Sequence, residues 1–576
     1  MNYAASAHQD ITAKLPGWRA TVLFGVLVIG FSGLLGRGVY LQGIHADFLQ
    51  KKGDARYIRD IEISAHRGMI SDRNGEPLAV STPVESVWAS PSDVEADDGK
   101  IQKLAKILGM KSKEVRQRLF NPKREFIYLK RQLPPEQIEK VVSLNIPGVR
   151  LQREYRRYYP TGEQTAQMLG FTGKDDNGQE GLELAFQDFL TGEPGSKRVI
   201  KDRRGYIVED IVNLRVPKPG NDVELSIDSN IQYLAYRELK DAVIKHQAKS
   251  GSVVVLDPRS GEVLALVNYP SFNPNNRSKV NIQDIRNRAI TDVFEPGSTM
   301  KPFAVAAAFD AGVIDDTTII DTENGVFEIG GRKIHDHAPE AYMTVARVIQ
   351  TSSNIGAAKI GLMLESKVLW NALSESGFGK HTGSEFPGEA TGKLRAPKTW
   401  RPIEQATISY GHGISANLMQ LARAYMIFAS NGELKSISLL KMDNPARGRK
   451  IFSDRTVNSI RAMLEAVVNE DGTAPLAQVS GYRVAGKTGT SHKLENGRYV
   501  KRYIASFVGF TPVSDPRLVI AVMLDEPSNG KYYGGQVAAP VFSKIAGPAL
   551  HILNVPNDAP LDKMNSPSIG SMGERI

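Results

Sequence analysis

The sequence predicts an α+β protein with an N-terminal membrane anchor, an elongated α+β pedestal, and a larger domain in which helices flank an antiparallel sheet. Three observations lead to this prediction. One uncharged apolar run lies near the N-terminus, strand patterns stand at both ends of residues 221–555, and a helical insertion separates those strands. The chain has 576 residues, too many for one core.

The apolar run covers residues 20–36 and extends to residue 41 if Arg37 snorkels. It is long enough for a membrane span and longer than the apolar part of a usual secretory signal. Lys14 and Arg19 precede it, which favours a cytoplasmic N-terminus. An uncleaved anchor is therefore expected, with a cleaved signal or a buried soluble helix as alternatives.

The pedestal is predicted from local patterns in residues 42–220. Asp72-Arg73-Asn74-Gly75 is a turn signal between extended segments, and residues 93–120 have helical spacing interrupted at Gly109. A strand at residues 126–129 precedes a helix starting at Pro134-Pro135, with Ile138, Val141 and Val142 expected on its inner face. Residues 149–159 are extended and basic, which indicates a solvated face or a contact surface.

The larger domain follows a Pro- and Gly-rich boundary at residues 217–221. A strand at residues 223–227 and a long helix capped by Asp228 or Ser229 are expected next. Strand pairs are predicted at residues 253–257 with 263–268, and at 504–510 with 518–524. The predicted divisions are a cytoplasmic tail (residues 1–19), an anchor (20–41), a pedestal (42–220), a main domain (221–555) and a disordered tail (556–576).

Composition narrows the possible chemistry. The net charge of +9 fits a solvated surface, or attraction to an anionic polymer or a membrane surface. No zinc spacing, Walker loop or helix-turn-helix signal accompanies it, so no nucleic-acid partner, metal or cofactor is expected. The absence of cysteine excludes disulfides and thiolate chemistry.

Three short strings point to serine acyl transfer: STMK at residues 298–301, SSN at 352–354 and KTGT at 487–490. Ser298 falls in the first turn of a predicted helix, with Lys301 one turn further on the same face. A serine hydroxyl needs an adjacent base, and lysine serves only if burial or nearby positive charge lowers its pKa. The Lys487 ammonium is a candidate for that charge. A serine cap with a surface lysine is the simpler interpretation of this string alone.

The second and third strings supply the remaining polar groups. Ser352 is predicted to relay a proton, and Asn354 to hydrogen-bond the lysine or the substrate, although a helix cap also explains this string. The backbone N–H groups of Ser298 and Thr490 form a possible oxyanion site, worth roughly 3–4 kcal/mol per donor. Lys487, Thr488 and Thr490 suit a substrate carboxylate, and Gly489 is expected to let a substrate backbone lie close to the strand.

In this order the three strings resemble the signature of penicillin-binding proteins and serine β-lactamases. Further strings resemble class B penicillin-binding proteins, in particular septal D,D-transpeptidases of Gram-negative bacteria and their paralogues. These strings are RGMISDRNGEPLA at residues 67–79, RYYP at 157–160, GLE at 181–183, DRRG at 202–205, YYGG at 532–535 and AAPVF at 538–542.

The resemblance implies an acyl-enzyme on Ser298 that cross-links peptidoglycan stem peptides and is inhibited by β-lactams. It also implies an aromatic wall of Tyr503, Tyr532 and Tyr533, and a carboxylate contact from His492 or Lys493, where septal relatives often have arginine. Implied partners are the membrane, a glycosyltransferase and other division proteins. The implied location is the inner membrane, with one span and a periplasmic catalytic domain.

Three alternatives remain open. A D,D-carboxypeptidase differs only in using water as the acceptor. A β-lactamase needs an activating glutamate, and Glu465 with Asn469 approaches the required string. However, Leu464, Val467 and Val468 have the pattern of a buried helix face. The third alternative is a non-catalytic divisome scaffold.

Overall fold

The computed structural model describes residues 17–201, 207–445, 447–495 and 497–560. The predicted string at residues 202–205, the tail at 1–16 and residues 561–576 lie outside the described residues. Helix α1 (Gly17–Val39) continues through a π-helical turn (Tyr40–Ile44) into α2 (Ala46–Tyr57). Residues Gly17–Ile44 form one helical segment of 28 residues with mean hydropathy 1.9 and no buried residue, so this segment is long and apolar enough to cross a membrane.

Within its described residues, the pedestal contains two main sheets, a small hairpin and six short α-helices. Its strands are β1 (Ile58–Ile63), β2 (Ile70–Ser71), β3 (Pro77–Ala89), β4 (Ile127–Leu133), β5 (Val149–Tyr158), β6 (Phe171–Thr172), β7 (Gly178–Glu180), β8 (Gly195–Lys201) and β9 (Ile207–Arg215). Its helices are α3 (Asp98–Leu108), α4 (Ser112–Leu119), α5 (Pro135–Ser143), α6 (Ala166–Leu169), α7 (Gly181–Ala185) and α8 (Gln187–Leu190).

Local signals determine several of these elements. The Asp72–Gly75 turn joins β2 to β3, and Gly75 adopts a φ of 86°. Gly109 ends α3 in the left-handed conformation that glycine adopts without steric cost. The expectation for Val142 was wrong, because its side chain is 58% exposed while Ile138 and Val141 are buried.

The basic strand β5 is neither simply a solvated face nor simply a contact surface, the two interpretations that its sequence allowed. Arg153 and Arg156 are exposed, whereas Arg157 is buried and donates from Nε to Glu183 Oε1 at 2.6 Å. Glu183 Oε2 accepts from Arg67 Nε at 2.8 Å, so one fully buried carboxylate pairs with two guanidinium groups. This ion cluster joins the family-like strings at residues 67–79, 157–160 and 181–183.

The larger domain is built around one five-stranded antiparallel sheet in the order β12-β11-β21-β20-β19. Its strands, together with the minor ones, are β10 (Val223–Glu224), β11 (Ser250–Leu256), β12 (Val263–Tyr269), β13 (Ile319–Asp321), β14 (Val326–Ile329), β15 (Arg332–His335), β16 (Tyr342–Thr344), β17 (Glu433–Leu434), β18 (Arg449–Lys450), β19 (Ala485–Glu495), β20 (Arg498–Thr511) and β21 (Leu518–Asp525). Both predicted strand pairs are confirmed, and they meet because β11 pairs with β21.

Helices cover both faces of this sheet. They are α9 (Ser229–Lys245), α10 (Ile282–Ile285), α11 (Arg288–Thr291), α12 (Lys301–Asp310), α13 (Val345–Gln350), α14 (Asn354–Leu362), α15 (Ser366–Glu375), α16 (Pro402–Ser409), α17 (Leu418–Ala429), α18 (Asp454–Ala466), α19 (Gly534–Val537) and α20 (Ala539–Ile552). Helices α9 and α20 pack together against the sheet, and α17 packs against β11, β20 and β21. The insertion between β12 and β19 supplies α10–α18.

The pedestal and the larger domain are packed against each other at their junction. The strand predicted at residues 223–227 is shorter than expected, and β10 pairs in parallel with β2 of the pedestal. A Cβ atom on Gly68 would lie 1.9 Å from Asn221 O, so the two segments touch through their backbones. Buried residues from both sides, including Leu190 and Val223, belong to one hydrophobic core.

Candidate active site

Ser298 lies in a one-turn 3-10 helix (Gly297–Met300) that leads directly into α12. The predicted position in a first helical turn is confirmed. A Cβ atom on Gly297 would approach Thr490 and Ser491 within 3.7 Å, so this turn lies against β19. Helix α17 also contacts the turn, because the Tyr425 hydroxyl donates to Thr299 O at 2.8 Å.

Lys301 is fully buried and its Nζ atom has three oxygen partners. Ser352 O accepts at 2.6 Å, Asn354 Oδ1 at 2.8 Å, and Ser352 Oγ lies at 3.1 Å. The structure therefore brings Lys301, Ser352 and Asn354 together, as the sequence predicts. Burial holds the pKa of Lys301 well below its ordinary value, and the nearby Lys487 ammonium lowers it further.

Ser352 presents both its carbonyl oxygen and its hydroxyl oxygen to Lys301 Nζ, and its backbone has an unusual conformation. Its φ is +66°, in the left-handed region that is uncommon for a serine. Such strained backbones are concentrated at functional sites. This conformation is a feature of the site that the sequence pattern did not indicate.

A second feature missed from the sequence is Asp336. Its Oδ1 accepts from the backbone N–H groups of Asn354 and Ile355 at 2.5 and 3.0 Å, and its Oδ2 accepts from Ser353 Oγ. Asp336 therefore caps α14 and fixes the start of that helix. Asn354 Nδ2 donates to His335 O at 3.0 Å, which directs Oδ1 of the same amide toward Lys301.

Lys487 is also fully buried, and it lies on β19, at the edge of the sheet. Its only hydrogen bond to a described residue is a long one of 3.4 Å to Thr488 Oγ1. Burial lowers the pKa of Lys487 to about 7. The site thus holds two adjacent amines, both with lowered pKa values.

We expect Lys487→Met to raise the free energy of unfolding by roughly 2–4 kcal/mol at pH 6 and by less at pH 9. The buried lysine is destabilising below its folded-state pKa of about 7, and this cost decreases as the pH rises toward its unfolded value. Thermal unfolding at both pH values measures the difference, with the exposed Lys367→Met as control. An equal effect at both pH values would contradict the explanation.

The threonine hydroxyls of β19 are held in place by neighbouring groups. Thr490 Oγ1 accepts from Gly534 N at 3.0 Å and keeps its own proton available for donation. Thr488 Oγ1 lies 3.1 Å from Thr473 Oγ1. Gly489 is also required by the chain's own packing, because a Cβ atom there would lie 2.4 Å from Ser506 Oγ and 2.8 Å from Pro296 O. The close approach of a substrate backbone at Gly489 stays a prediction.

The three tyrosines stack beside the strand. The rings of Tyr503 and Tyr532 have centroids 4.2 Å apart with 16° between their planes, and Tyr532 and Tyr533 are 4.6 Å apart. His492 lies against Tyr503 at 4.7 Å and extends this aromatic row. Lys493 has other partners: its Nζ bonds Asp525 and Glu526 at 2.8 and 2.6 Å, which argues against the substrate carboxylate contact considered for it.

The glutamate considered for a β-lactamase has a structural partner. Glu465 forms a bidentate ion pair with Arg483 at 2.6 and 2.7 Å. Leu464, Val467 and Val468 are buried, as predicted for an ordinary helix face. These contacts favour a structural role for Glu465.

Two family models match the chain. The penicillin-binding protein dimerisation domain matches residues 62–225, and the penicillin-binding protein transpeptidase domain matches residues 251–547. The chain is 41% identical to the peptidoglycan D,D-transpeptidase FtsI of Escherichia coli K12, over 96% of this chain and 94% of that protein. It is also 41% identical to the probable peptidoglycan D,D-transpeptidase PenA of Neisseria meningitidis, over 94% and 93%.

A solved structure agrees with these matches. The transpeptidase domain of Burkholderia pseudomallei penicillin-binding protein 3 superposes with a TM-score of 0.54 and 48% identity, and it covers 58% of this chain and 98% of that one. Both domains are thus recognised in their expected order, with the apolar helix preceding them. The chain therefore belongs to the class B penicillin-binding proteins and carries their serine transpeptidase domain.

Proposed function

We propose that this protein is a septal peptidoglycan D,D-transpeptidase in which Ser298 is the nucleophile and Lys301 its base. The observation that supports this most strongly is the buried Lys301 amine, held by Ser352 and Asn354 one turn after Ser298. A lowered pKa leaves that amine neutral often enough to accept the hydroxyl proton.

The proposed reaction has two halves. Ser298 Oγ attacks the D-Ala-D-Ala carbonyl, Lys301 takes the hydroxyl proton, and Ser352 relays it to the departing amine of the terminal D-Ala as the C–N bond breaks. An amine from a second stem peptide then attacks the acyl carbon and releases Ser298. The backbone N–H groups of Ser298 and Thr490 stabilise the oxyanion in both halves.

Substrate binding is assigned to strand β19 and the aromatic row. As an edge strand, β19 has backbone groups that no neighbouring strand pairs, and an extended stem peptide fits such an edge. Lys487, Thr488 and Thr490 provide donors for the terminal carboxylate. Tyr503, Tyr532 and Tyr533 form one wall of the cleft.

The setting proposed for the enzyme is the inner membrane. In this proposal the described apolar helix anchors the chain. Lys14 and Arg19, at the N-terminal side of the apolar run, favour an N-terminus in the cytoplasm and a catalytic domain in the periplasm. A glycosyltransferase and other division proteins are the proposed partners, because cross-linking needs newly made glycan strands.

Labelling with a fluorescent penicillin, read by intact mass, tests this function. We expect one stable adduct on the full-length protein and none on Ser298→Ala. An unlabelled wild-type protein would overturn the enzyme assignment in favour of a scaffold. A short-lived adduct that hydrolyses would support a β-lactamase.

A further inference from the structure

A carboxylate that no described lysine or arginine pairs with lies just before the nucleophile. Glu295 Oε1 accepts from Gly413 N at 2.9 Å, and both of its carboxylate oxygens accept from the Tyr499 hydroxyl, at 3.2 and 3.0 Å. No ion pair to Glu295 is formed within the described part of the chain, and burial raises its pKa. The proposed reaction as given above does not use this group.

Tyr499, which donates to this carboxylate, belongs to a row of three rings. The centroids of Tyr410 and His412 are 5.2 Å apart, and those of His412 and Tyr499 are 6.0 Å apart. Burial, with the Lys301 ammonium nearby, lowers the pKa of His412 to about 4, so this ring is neutral at physiological pH and leaves the Glu295 charge uncompensated. Aromatic rings beside a carboxylate are complementary to a primary ammonium group.

Backbone contacts hold this group of residues next to Ser298. Gly297 N donates to Gly411 O at 3.2 Å, and a Cβ atom on Gly411 would lie 2.1 Å from Gly297 O. Phe294 and Ala416 exchange backbone hydrogen bonds of 2.9 and 3.0 Å. The segment before Ser298, the loop after α16 and strand β20 therefore meet at one point beside the nucleophile.

We propose that Glu295, with the rings of Tyr410, His412 and Tyr499, is the subsite that receives the ammonium group of the acceptor stem peptide. This inference rests on the proposed transpeptidase function and deepens it. Lys301 is unsuited to this task, since it is a cationic or neutral amine with three oxygen partners of its own. An ammonium group is attracted by the negative charge of Glu295, whereas a lysine amine offers it no negative charge.

The proton balance of the second half-reaction follows from this placement. The bound ammonium gives one proton to Glu295, which passes it to solvent. The freed nitrogen lone pair forms a C–N bond with the acyl carbon, and the bond from that carbon to Ser298 Oγ breaks. The second proton of the amine returns through Lys301 to Ser298. The products are the new amide, the free serine and one released proton.

Partition of the acyl-enzyme between amine and water tests the inference. The full-length enzyme is given a stem-pentapeptide donor and either a stem-type peptide amine or hydroxylamine, which is uncharged at neutral pH. For Glu295→Gln we expect the aminolysis-to-hydrolysis ratio with the peptide amine to fall about tenfold or more, since a hydrogen bond to a charged group is lost. With hydroxylamine, the aminolysis-to-hydrolysis ratio of Glu295→Gln is expected to stay within about twofold of the wild-type ratio.

The substitution is chosen to separate charge from structure. Glutamine keeps an oxygen that accepts from Gly413 N and Tyr499, whereas Glu295→Asp keeps the charge at shorter reach and is expected to restore part of the ratio. The exposed Glu365→Gln is the matched control. Equal losses with both nucleophiles, or equal losses in the Gln and Asp variants, would overturn the subsite.

Penicillin acylation, measured on the same preparations, separates the two proposals. Unlabelled wild-type enzyme would count against the transpeptidase function itself. Normal acylation of Glu295→Gln with an unchanged partition ratio would count against the acceptor subsite alone.

Discussion

Lys301→Ala is expected to slow acylation of Ser298 by penicillin by roughly three orders of magnitude or more while the domain stays folded. Among the described residues, the Lys301 amine is the one held by both Ser352 and Asn354, one turn after the nucleophile, and it is the proposed base for acylation. Stopped-flow or gel-based acylation rates measure the effect. Thermal unfolding checks that the variant is folded.

A matched control for this prediction is the exposed lysine on α15, Lys367→Ala, which should acylate at the wild-type rate. Near-normal acylation in Lys301→Ala would remove Lys301 as the base. Rescue of the variant by added small primary amines would support a proton-transfer role over a packing role, because an exogenous amine restores a base without restoring the side chain.

Glu183→Ala is expected to lower the free energy of unfolding of the pedestal by about 3–5 kcal/mol. Its fully buried carboxylate pairs with the Arg67 and Arg157 guanidinium groups, and removing it leaves two buried cations without their counter-charge. A buried ion pair adds little stability when complete, but breaking one is costly. Urea-induced unfolding, followed by limited proteolysis of the pedestal, measures the loss.

The control for this prediction is Glu180→Ala, an exposed glutamate three residues earlier. We expect it to change the free energy of unfolding by less than about 0.5 kcal/mol. Similar results for the two variants would show that the buried ion cluster contributes nothing beyond an ordinary surface charge.

Local patterns in the sequence predicted most of the scaffold. The turn at Asp72–Gly75, the helix end at Gly109 and the strands of the central sheet depend on residues close together in the chain. The helical turn that holds Ser298 and leads into α12 was predictable for the same reason. Val142 was misplaced because helical spacing alone does not indicate where the buried face of α5 ends.

The contacts that complete the site could not be predicted in this way. The left-handed backbone of Ser352 has no residue-type signal, since glycine or asparagine is the usual choice there. Asp336 acts on a helix that begins 18 residues later. Glu295 meets Tyr499 across 204 residues. Such contacts depend on tertiary packing, which a single sequence does not reveal.

The open edge of the central sheet also affects how copies of this protein behave in solution. Unpaired edge strands tend to pair with other molecules and start aggregation. Here the Ser298 turn lies against Gly489 of β19, and a register shift between His492 and Lys493 interrupts the strand further along. Because the turn covers part of this edge and the register shift interrupts it, we expect the edge to admit a slender peptide while resisting the long pairing that sheet-to-sheet aggregation requires.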